Sequence, residues 1–333
     1  MKAVLCKAFG QPEDLVVEEV ADLHAQDGQV RIDVKACAVN FPDALMIQDM
    51  YQFKPPLPFS PGGEVAGVVA EVGAGVTDVK VGDRVIGSCG AGGMAEQVVL
   101  DASRIIPMPD EMPFDEAAAF IMTYGTSHHA LKDRADIQPG ESLLVLGAAG
   151  GVGLAAVELG KVMGAKVIAA ASSEEKVQVA MDHGADSGFV YPTQPLDRDQ
   201  QKALSGQIKE YCGGEGADVV YDPVGGDYCE PALRATAWEG RFLIVGFPAG
   251  IAKIPMNLTL LKGCQIMGVF WGAFTARDPK RNKENIAELM EWYTAGKIKP
   301  FVSSTYTFEN AGAGIRELMD RKAKGKVVIT VGA

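Results

Sequence analysis

Between Leu143 and Leu159 an apolar run breaks into glycines and then resumes. It reads Leu143-Leu144-Val145-Leu146-Gly147-Ala148-Ala149-Gly150-Gly151-Val152-Gly153, followed by Leu154-Ala155-Ala156-Val157-Glu158-Leu159. That pattern is a buried parallel strand, a tight turn and a helix. Glycines at such a turn let the backbone come close to a pyrophosphate. The free N–H groups and the dipole of the helix start favour its negative charge. Ala149, Gly150, Gly151, Val152 and Gly153 are therefore candidate contacts for a dinucleotide. A second strand-like run, Lys166-Val167-Ile168-Ala169-Ala170-Ala171, follows a helix-length gap, as a βαβ unit requires.

The tip of that second strand bears on which dinucleotide is held. An acidic residue there hydrogen-bonds a ribose 2′-OH and repels a 2′-phosphate. This chain runs Ala171-Ser172-Ser173-Glu174-Glu175-Lys176. Ser172 and Ser173 can donate to phosphate oxygens, and Lys176 supplies a cation one helical turn on. Glu174 and Glu175 cut against this, and no arginine clamps the site. The same run also reads as a helix cap, Ser173 with acidic residues after it. On balance the tip favours NADPH over NADH.

These residues must be positioned by a larger frame. A chain of 333 residues suggests about two domains, and its 47% hydrophobic content can fill their cores. The net charge of −12 argues against a nucleic-acid partner and against docking on anionic lipid. No apolar run reaches the ~20 residues of a membrane span. The start, Met1-Lys2-Ala3-Val4-Leu5-Cys6-Lys7, turns charged too soon for a signal peptide. The six cysteines are scattered with no Cys-x-x-Cys pair, which reads as reduced packing residues of a cytoplasmic protein.

The first ~120 residues read as short strands and glycine turns. Val30-Arg31-Ile32-Asp33-Val34-Lys35-Ala36 alternates as a half-buried strand does. Val65–Gly73 and Asp83–Gly87 are further strands. Lys54–Gly63 holds four prolines and must be loop. A barrel-like β domain is expected. From ~113 strand and helix alternate. Strand candidates fall at Val167–Ala171, Gly188–Tyr191, Asp218–Asp222, Arg241–Gly246 and Gln265–Phe270, which implies a doubly wound parallel sheet. A charged helix, Asn282–Ala295, and a last strand, Lys326–Val331, return the chain to the first domain. The division expected is 1–124 with 273–333, and 125–272 inserted between them.

Taken in order, several motifs resemble one family. They are Val39-Asn40-Phe41-Pro42-Asp43, Pro58-Phe59-Ser60-Pro61-Gly62-Gly63-Glu64-Val65-Ala66-Gly67, Val81-Gly82-Asp83-Arg84-Val85, the Ala148–Gly153 turn, Asp222-Pro223-Val224-Gly225-Gly226 and Gly325-Lys326-Val327-Val328. The chain resembles the medium-chain dehydrogenase/reductases, in the zinc-free quinone oxidoreductase (zeta-crystallin-like) branch. The resemblance spans nearly the whole chain. It implies an α/β fold in which a Rossmann NADP-binding domain is inserted into a GroES-like, mainly β barrel catalytic domain. It places 2′-phosphate contacts at Ser172, Ser173, Lys176 and Tyr191, and further cofactor contacts at Thr126 and Phe247. It also implies a homodimer paired through the last strand of the Rossmann sheet. In the zinc-using branch a cysteine falls at Asn40, a histidine at Gly63, and a cysteine-rich lobe comes after Gly87, where this chain has only Cys89. Zinc needs three or four converging sulfur or imidazole ligands, so no zinc is expected. Cys37 reads as a core thiol.

Without a metal, an acceptor must be polarised by hydrogen bonds and positioning. By resemblance Asn40 is the first candidate, and it also reads as a turn asparagine. Tyr51, beside the proline-rich loop, can donate a hydrogen bond, stack on a flat ring, or simply close the cleft. Asp43 reads as a helix cap. His128 and His129 read as packing residues, His24 and His183 as exposed ones without partners. Trp271 and Phe274 line a pocket or an interface. The expected activity is NADPH-dependent hydride transfer to a quinone or similar conjugated carbonyl. An enone or enoyl-thioester reductase stays open, the cluster Arg277, Lys280, Arg281 and Lys283 being the only local basic group for a coenzyme A phosphate. A cofactor-binding protein with little turnover stays open too.

Overall fold

The computed structural model describes residues 1–332. The chain divides into two compact units, Met1–Met122 with the segment from Pro300 onward, and Thr123–Lys299.

The strand Gln29–Val39 is the hub of the first unit. Val30, Ile32 and Val34 are buried while Arg31, Asp33 and Lys35 are not, the alternation of a half-covered strand. From Ala36 to Val39 every residue is buried. The strand pairs antiparallel with Glu64–Val72, with Lys326–Thr330 and, along its first half, with Gln97–Asp101. The sheet continues through Arg84–Ser88 and Ile105–Pro107 on one side and Val302–Thr307 on the other. Ile32, Cys37, Val65, Val85, Met94 and Val327 belong to its core. Register determines which side chains meet at the strand ends. Val327 faces Val39, and Ala38 faces Glu64. Lys326, Glu64 and Asn40 therefore end up side by side, although up to 286 positions separate them in the chain.

The second unit is built on six parallel strands. In spatial order they are Ser187–Val190, Lys166–Ala171, Ser142–Leu146, Ala217–Asp222, Thr236–Ile244 and Gln265–Gly268. Counted along the chain this is 3-2-1-4-5-6, the Rossmann order. Ser142–Leu146 lies near the middle and is buried throughout, as a strand covered on both faces must be.

The sequence reading closed the inserted domain at 272, whereas the second compact unit runs on to Lys299. The physical reason is the helix Pro279–Thr294. Its Glu288 bonds the Nε2 of His128 at 2.7 Å, and its Asn285 and Arg281 both reach Asp133. Trp271 donates to Asn282 at 3.2 Å. Among the described residues no helix is long and apolar enough to cross a membrane.

Candidate functional site

In the second unit, the strand Ser142–Leu146 ends in the turn Gly147–Gly150, and the helix Gly151–Val162 begins directly after it. Gly150 sits at the N-cap in an extended conformation and offers no capping side chain. The first N–H groups of the helix thus have neither an intrahelical acceptor nor a side-chain cap. The helix lies tight on the turn: a Cβ at Gly153 would stand 2.3 Å from the carbonyl oxygen of Gly147 and 3.0 Å from Cα of Ala148. Only glycine allows that approach. Ala149 and Gly153 are buried, and Gly150, Gly151 and Val152 are half-buried.

The tip of the neighbouring strand carries exposed Ser172 and half-buried Ser173. Ser173 caps the next helix, its Oγ accepting the N–H of Lys176 at 3.3 Å. The capping reading of this segment therefore describes its present bonding. Lys176 is half-buried, while Glu174 and Glu175 are exposed. Tyr191 is buried with its ring tilted against Tyr228 at 4.6 Å. Thr126 is half-buried on the helix Ile121–His128, and Phe247 is exposed just beyond the fifth strand. These residues fit a dinucleotide on two counts: an uncapped helix start and a glycine cradle that a side chain would fill.

The first unit holds a buried polar cluster where its hub strand and two neighbours end. Lys326 Nζ donates to Asn40 Oδ1 at 2.6 Å, to Glu64 Oε1 at 2.9 Å and to the Val39 carbonyl at 3.2 Å. Asn40 Nδ2 donates to Glu64 Oε1 at 2.9 Å. Glu64 Oε2 accepts the Met122 N–H at 2.8 Å. Asp43 reaches back to the Asn40 N–H at 2.7 Å and also takes the Gly62 N–H at 2.9 Å. The N-cap of the helix Phe41–Met46 is Asn40 rather than the expected Asp43, which stands at the third helical position, reaches back to the N-cap N–H and also pins the glycine turn before Glu64. Gly62 has φ +100°, and a Cβ there would meet Cys37 Sγ at 2.5 Å, so the thiol fills the space of the missing side chain.

Burial raises the Asp43 carboxyl to about 6, against the pull of its two backbone donors. The folded chain then holds a proton that the unfolded chain releases. The stabilisation is fully present below the ordinary aspartate pKa and is lost as pH rises through about 6. Comparing the protein with its Asp43→Asn variant removes the other carboxylates from the balance. The stability gap in favour of the native chain should shrink by roughly 1 kcal/mol between pH 5 and pH 7. Urea midpoints at the two pH values measure it, and equal gaps would refute the assignment.

Tyr51 is half-buried against the first unit's core. Its hydroxyl makes no hydrogen bond among the described residues. Burial, with the Asp43 charge second, raises its pKa, so the phenol keeps its proton at neutral pH.

Other expected positions have structural duties. His128 pairs with Glu288, and His129 with Asp133 at 2.8 Å while stacking on Phe274 at 4.0 Å. Trp271 is buried, its ring set against Gly125. His183 corrects the sequence reading: it is half-buried and bonds Glu158 at 2.7 Å. The same buried Glu158 takes the Tyr124 hydroxyl at 2.6 Å and the Lys299 N–H at 2.9 Å. Of the basic cluster, Arg281 is held by Asp133 and Lys280 pairs with Glu284 at 4.0 Å.

Sequence reasoning missed Glu64 and Lys326 as members of the site. The signal was present: a charged residue heads each of two apolar strand runs, Glu64-Val65-Ala66 and Lys326-Val327-Val328. A charge at the head of a buried strand needs a buried partner.

Comparison with known proteins agrees with both units. Residues 26–110 match the family described as alcohol dehydrogenase GroES-like domain, and residues 151–294 the one described as zinc-binding dehydrogenase. The rat quinone oxidoreductase-like protein 2 is 40% identical, over 99% of this chain and 92% of that protein. Among solved structures, Escherichia coli quinone oxidoreductase complexed with NADPH aligns with TM-score 0.89 at 27% identity, over 99% of this chain and 100% of the other. An NAD-dependent alcohol dehydrogenase aligns with TM-score 0.89 at 31% identity, over the full length of both. The fold and the family matches are those of an oxidoreductase of the medium-chain class. The chain belongs to the medium-chain dehydrogenase/reductase family, in its quinone oxidoreductase branch.

The second family description speaks of zinc, so the donor set matters. By the resemblance, Asn40 and Gly63 take the places of the zinc-using branch's cysteine and histidine, and neither a carboxamide nor a glycine supplies the sulfur or imidazole that zinc prefers. Burial holds the Cys37 and Cys89 thiols well above their ordinary pKa, so both stay protonated in the folded chain. Among the described residues no three His, Cys, Asp or Glu side chains converge as ligands. This donor set does not fit zinc.

Proposed function

We propose that the protein is an NADPH-dependent reductase that passes a hydride to a quinone or a similar conjugated carbonyl, independently of zinc. The observation that carries this reading is the uncapped helix start at Gly150–Gly153, closed down on its glycine turn within a Rossmann-ordered sheet. When bound, the cofactor supplies the hydride.

The protein's own part is to bind and to place a proton. The N–H groups of the first helical residues, Gly151–Gly153, take the pyrophosphate, while the Gly150 N–H closes the turn on the Gly147 carbonyl. Ser172, Ser173, Lys176 and Tyr191 serve the 2′-phosphate, and Thr126 and Phe247 the nicotinamide half. Ser173 keeps its capping bond as an acceptor and gives its O–H to a phosphate oxygen. Asn40 presents its carboxamide to the acceptor. Tyr51, with a protonated hydroxyl and no partner among the described residues, donates to the oxygen that gains charge as the hydride arrives. The relatives named as quinone oxidoreductases, one of them complexed with NADPH, support this choice of acceptor and cofactor.

The deciding assay mixes purified protein with NADPH or NADH and follows cofactor absorbance against quinones, enones and enoyl thioesters. Rapid NADPH loss with quinones is the expected result. A preference for NADH, as in the aligned NAD-dependent dehydrogenase, would overturn the cofactor assignment. A preference for enones or thioesters would move the protein to alkene reduction. Binding of NADPH without oxidation would leave a binding protein.

The same reading includes a homodimer. Gln265–Gly268 is an edge strand of the parallel sheet. Trp238, Leu260, Leu261 and Phe270 of this unit are all more than half exposed. An open strand edge with exposed apolar residues suits pairing with a second copy. Sedimentation velocity is expected to give twice the chain mass, and a monomer at micromolar concentration would refute it.

A further inference from the structure

The proposed reduction needs a donor aimed at the acceptor oxygen, and a carboxamide can present either its N–H or its oxygen. We propose that Lys326 is a positioning residue that fixes which way round the Asn40 carboxamide sits, so that the acceptor meets N–H and not oxygen. This rests on the proposed reductase function.

The bonds around the amide leave one orientation. Oδ1 faces the Lys326 ammonium at 2.6 Å, and Nδ2 faces the Glu64 carboxylate at 2.9 Å. A flipped amide would set its NH2 against the ammonium and its oxygen against the carboxylate. Two attractions would become two repulsions. Asn40 is 7% exposed, Glu64 0% and Lys326 5%, so water screens little of that penalty.

Lys326 also ties down its neighbours. Its three N–H bonds end on Asn40 Oδ1, Glu64 Oε1 and the Val39 carbonyl, which accounts for every donor of an ammonium. It holds the carboxylate and the carboxamide at the same time. Of the two Asn40 N–H bonds, the second reaches only the Ala38 carbonyl, at 3.4 Å. That is the long end of a hydrogen bond, so it is the donor the amide can give up to an acceptor oxygen. The cation on Oδ1 polarises the amide and strengthens that donor.

Four variants test this: Lys326→Met, Lys326→Arg, Asn40→Ala and the double variant Asn40→Ala/Lys326→Met. The readouts are kcat with 1,4-naphthoquinone at saturating NADPH, and the Kd for NADPH by fluorescence. Lys326→Met is expected to lower kcat by roughly tenfold to a hundredfold with the NADPH Kd unchanged. Lys326→Arg should restore most of the loss. The double variant should be no slower than Asn40→Ala, because Lys326 acts through Asn40. Losses that multiply in the double variant, or an unchanged kcat in Lys326→Met, would overturn the proposal.

A second measurement needs neither turnover nor the methionine variant. In 15N spectra of the native protein, the Asn40 side-chain NH2 pair, assigned by its absence in Asn40→Ala, is expected to exchange slowly and to move in Lys326→Arg. An ordinary, fast-exchanging pair would refute the lock even if quinones are reduced. A locked pair in a protein that oxidises no NADPH would refute the reductase reading and leave the orientation standing.

Discussion

Gly153→Ala is expected to weaken dinucleotide binding by roughly tenfold to a hundredfold, the worth of one charge-assisted hydrogen bond. It is also expected to lower stability. Two effects of the added methyl oppose each other. Alanine is the better helix former by about 1 kcal/mol. Against that, the Cβ would lie 2.3 Å from the Gly147 carbonyl oxygen and 3.0 Å from Cα of Ala148. Both are backbone atoms, so no rotamer change relieves the clash. The turn must move, at a cost of about 1–3 kcal/mol, and the N–H groups aimed at the pyrophosphate move with it. The steric term wins. Gly206→Ala is the control, since it lies in the helix Arg198–Tyr211 with nothing within 4 Å of its added Cβ. There the helix term stands alone, and a gain of about 0.5–1 kcal/mol is expected. Titration calorimetry with NADPH and urea midpoints measure both variants. Native affinity in Gly153→Ala would remove the turn from the cofactor site.

Glu64→Leu is expected to cost about 3–5 kcal/mol, the loss seen when one partner of a buried ion pair is removed. The carboxylate accepts from Lys326, Asn40 and the Met122 backbone. Leucine fills much of the same volume and accepts from none of them. The ammonium of Lys326, 5% exposed, is then left without its counter-charge. If the uncompensated charge is the cause, removing the charge should repair it. Glu64→Leu/Lys326→Met is therefore expected to recover at least half of the loss, because a well-packed apolar pair can replace a buried ion pair at little net cost. Urea unfolding of Glu64→Leu, Lys326→Met and the double variant decides this. A double variant as unstable as the sum of its single variants would mean that the pair serves packing rather than charge balance.

The sequence by itself determined the elements whose signals are local. The run Leu143–Leu146 into Gly147–Gly153 declares strand, turn and helix, because glycine and apolar periodicity act over a few residues. The alternation at Val30–Ala36 did the same for the hub strand. Ser173 was legible as a cap, since a hydroxyl with acidic residues after it works on the adjacent N–H groups. The polar cluster was not legible in this way. Asn40 was singled out by resemblance, but its partners Glu64 and Lys326 are brought to it by antiparallel register across three strands. A charge at the head of each apolar run, Glu64-Val65-Ala66 and Lys326-Val327-Val328, shows that each needs a buried partner, but register is a property of the whole sheet, so neither run shows which partner it meets. Likewise His183 looked unpartnered until helix packing brought Glu158 to it. The place where the chain leaves the second unit was set by the side-chain pairs of the helix Pro279–Thr294 rather than by any break in composition. Local propensity settled which strands and helices form. Only tertiary packing decided which charges meet, because a buried ion pair joins residues far apart in the chain whose energies couple only when both have lost their water.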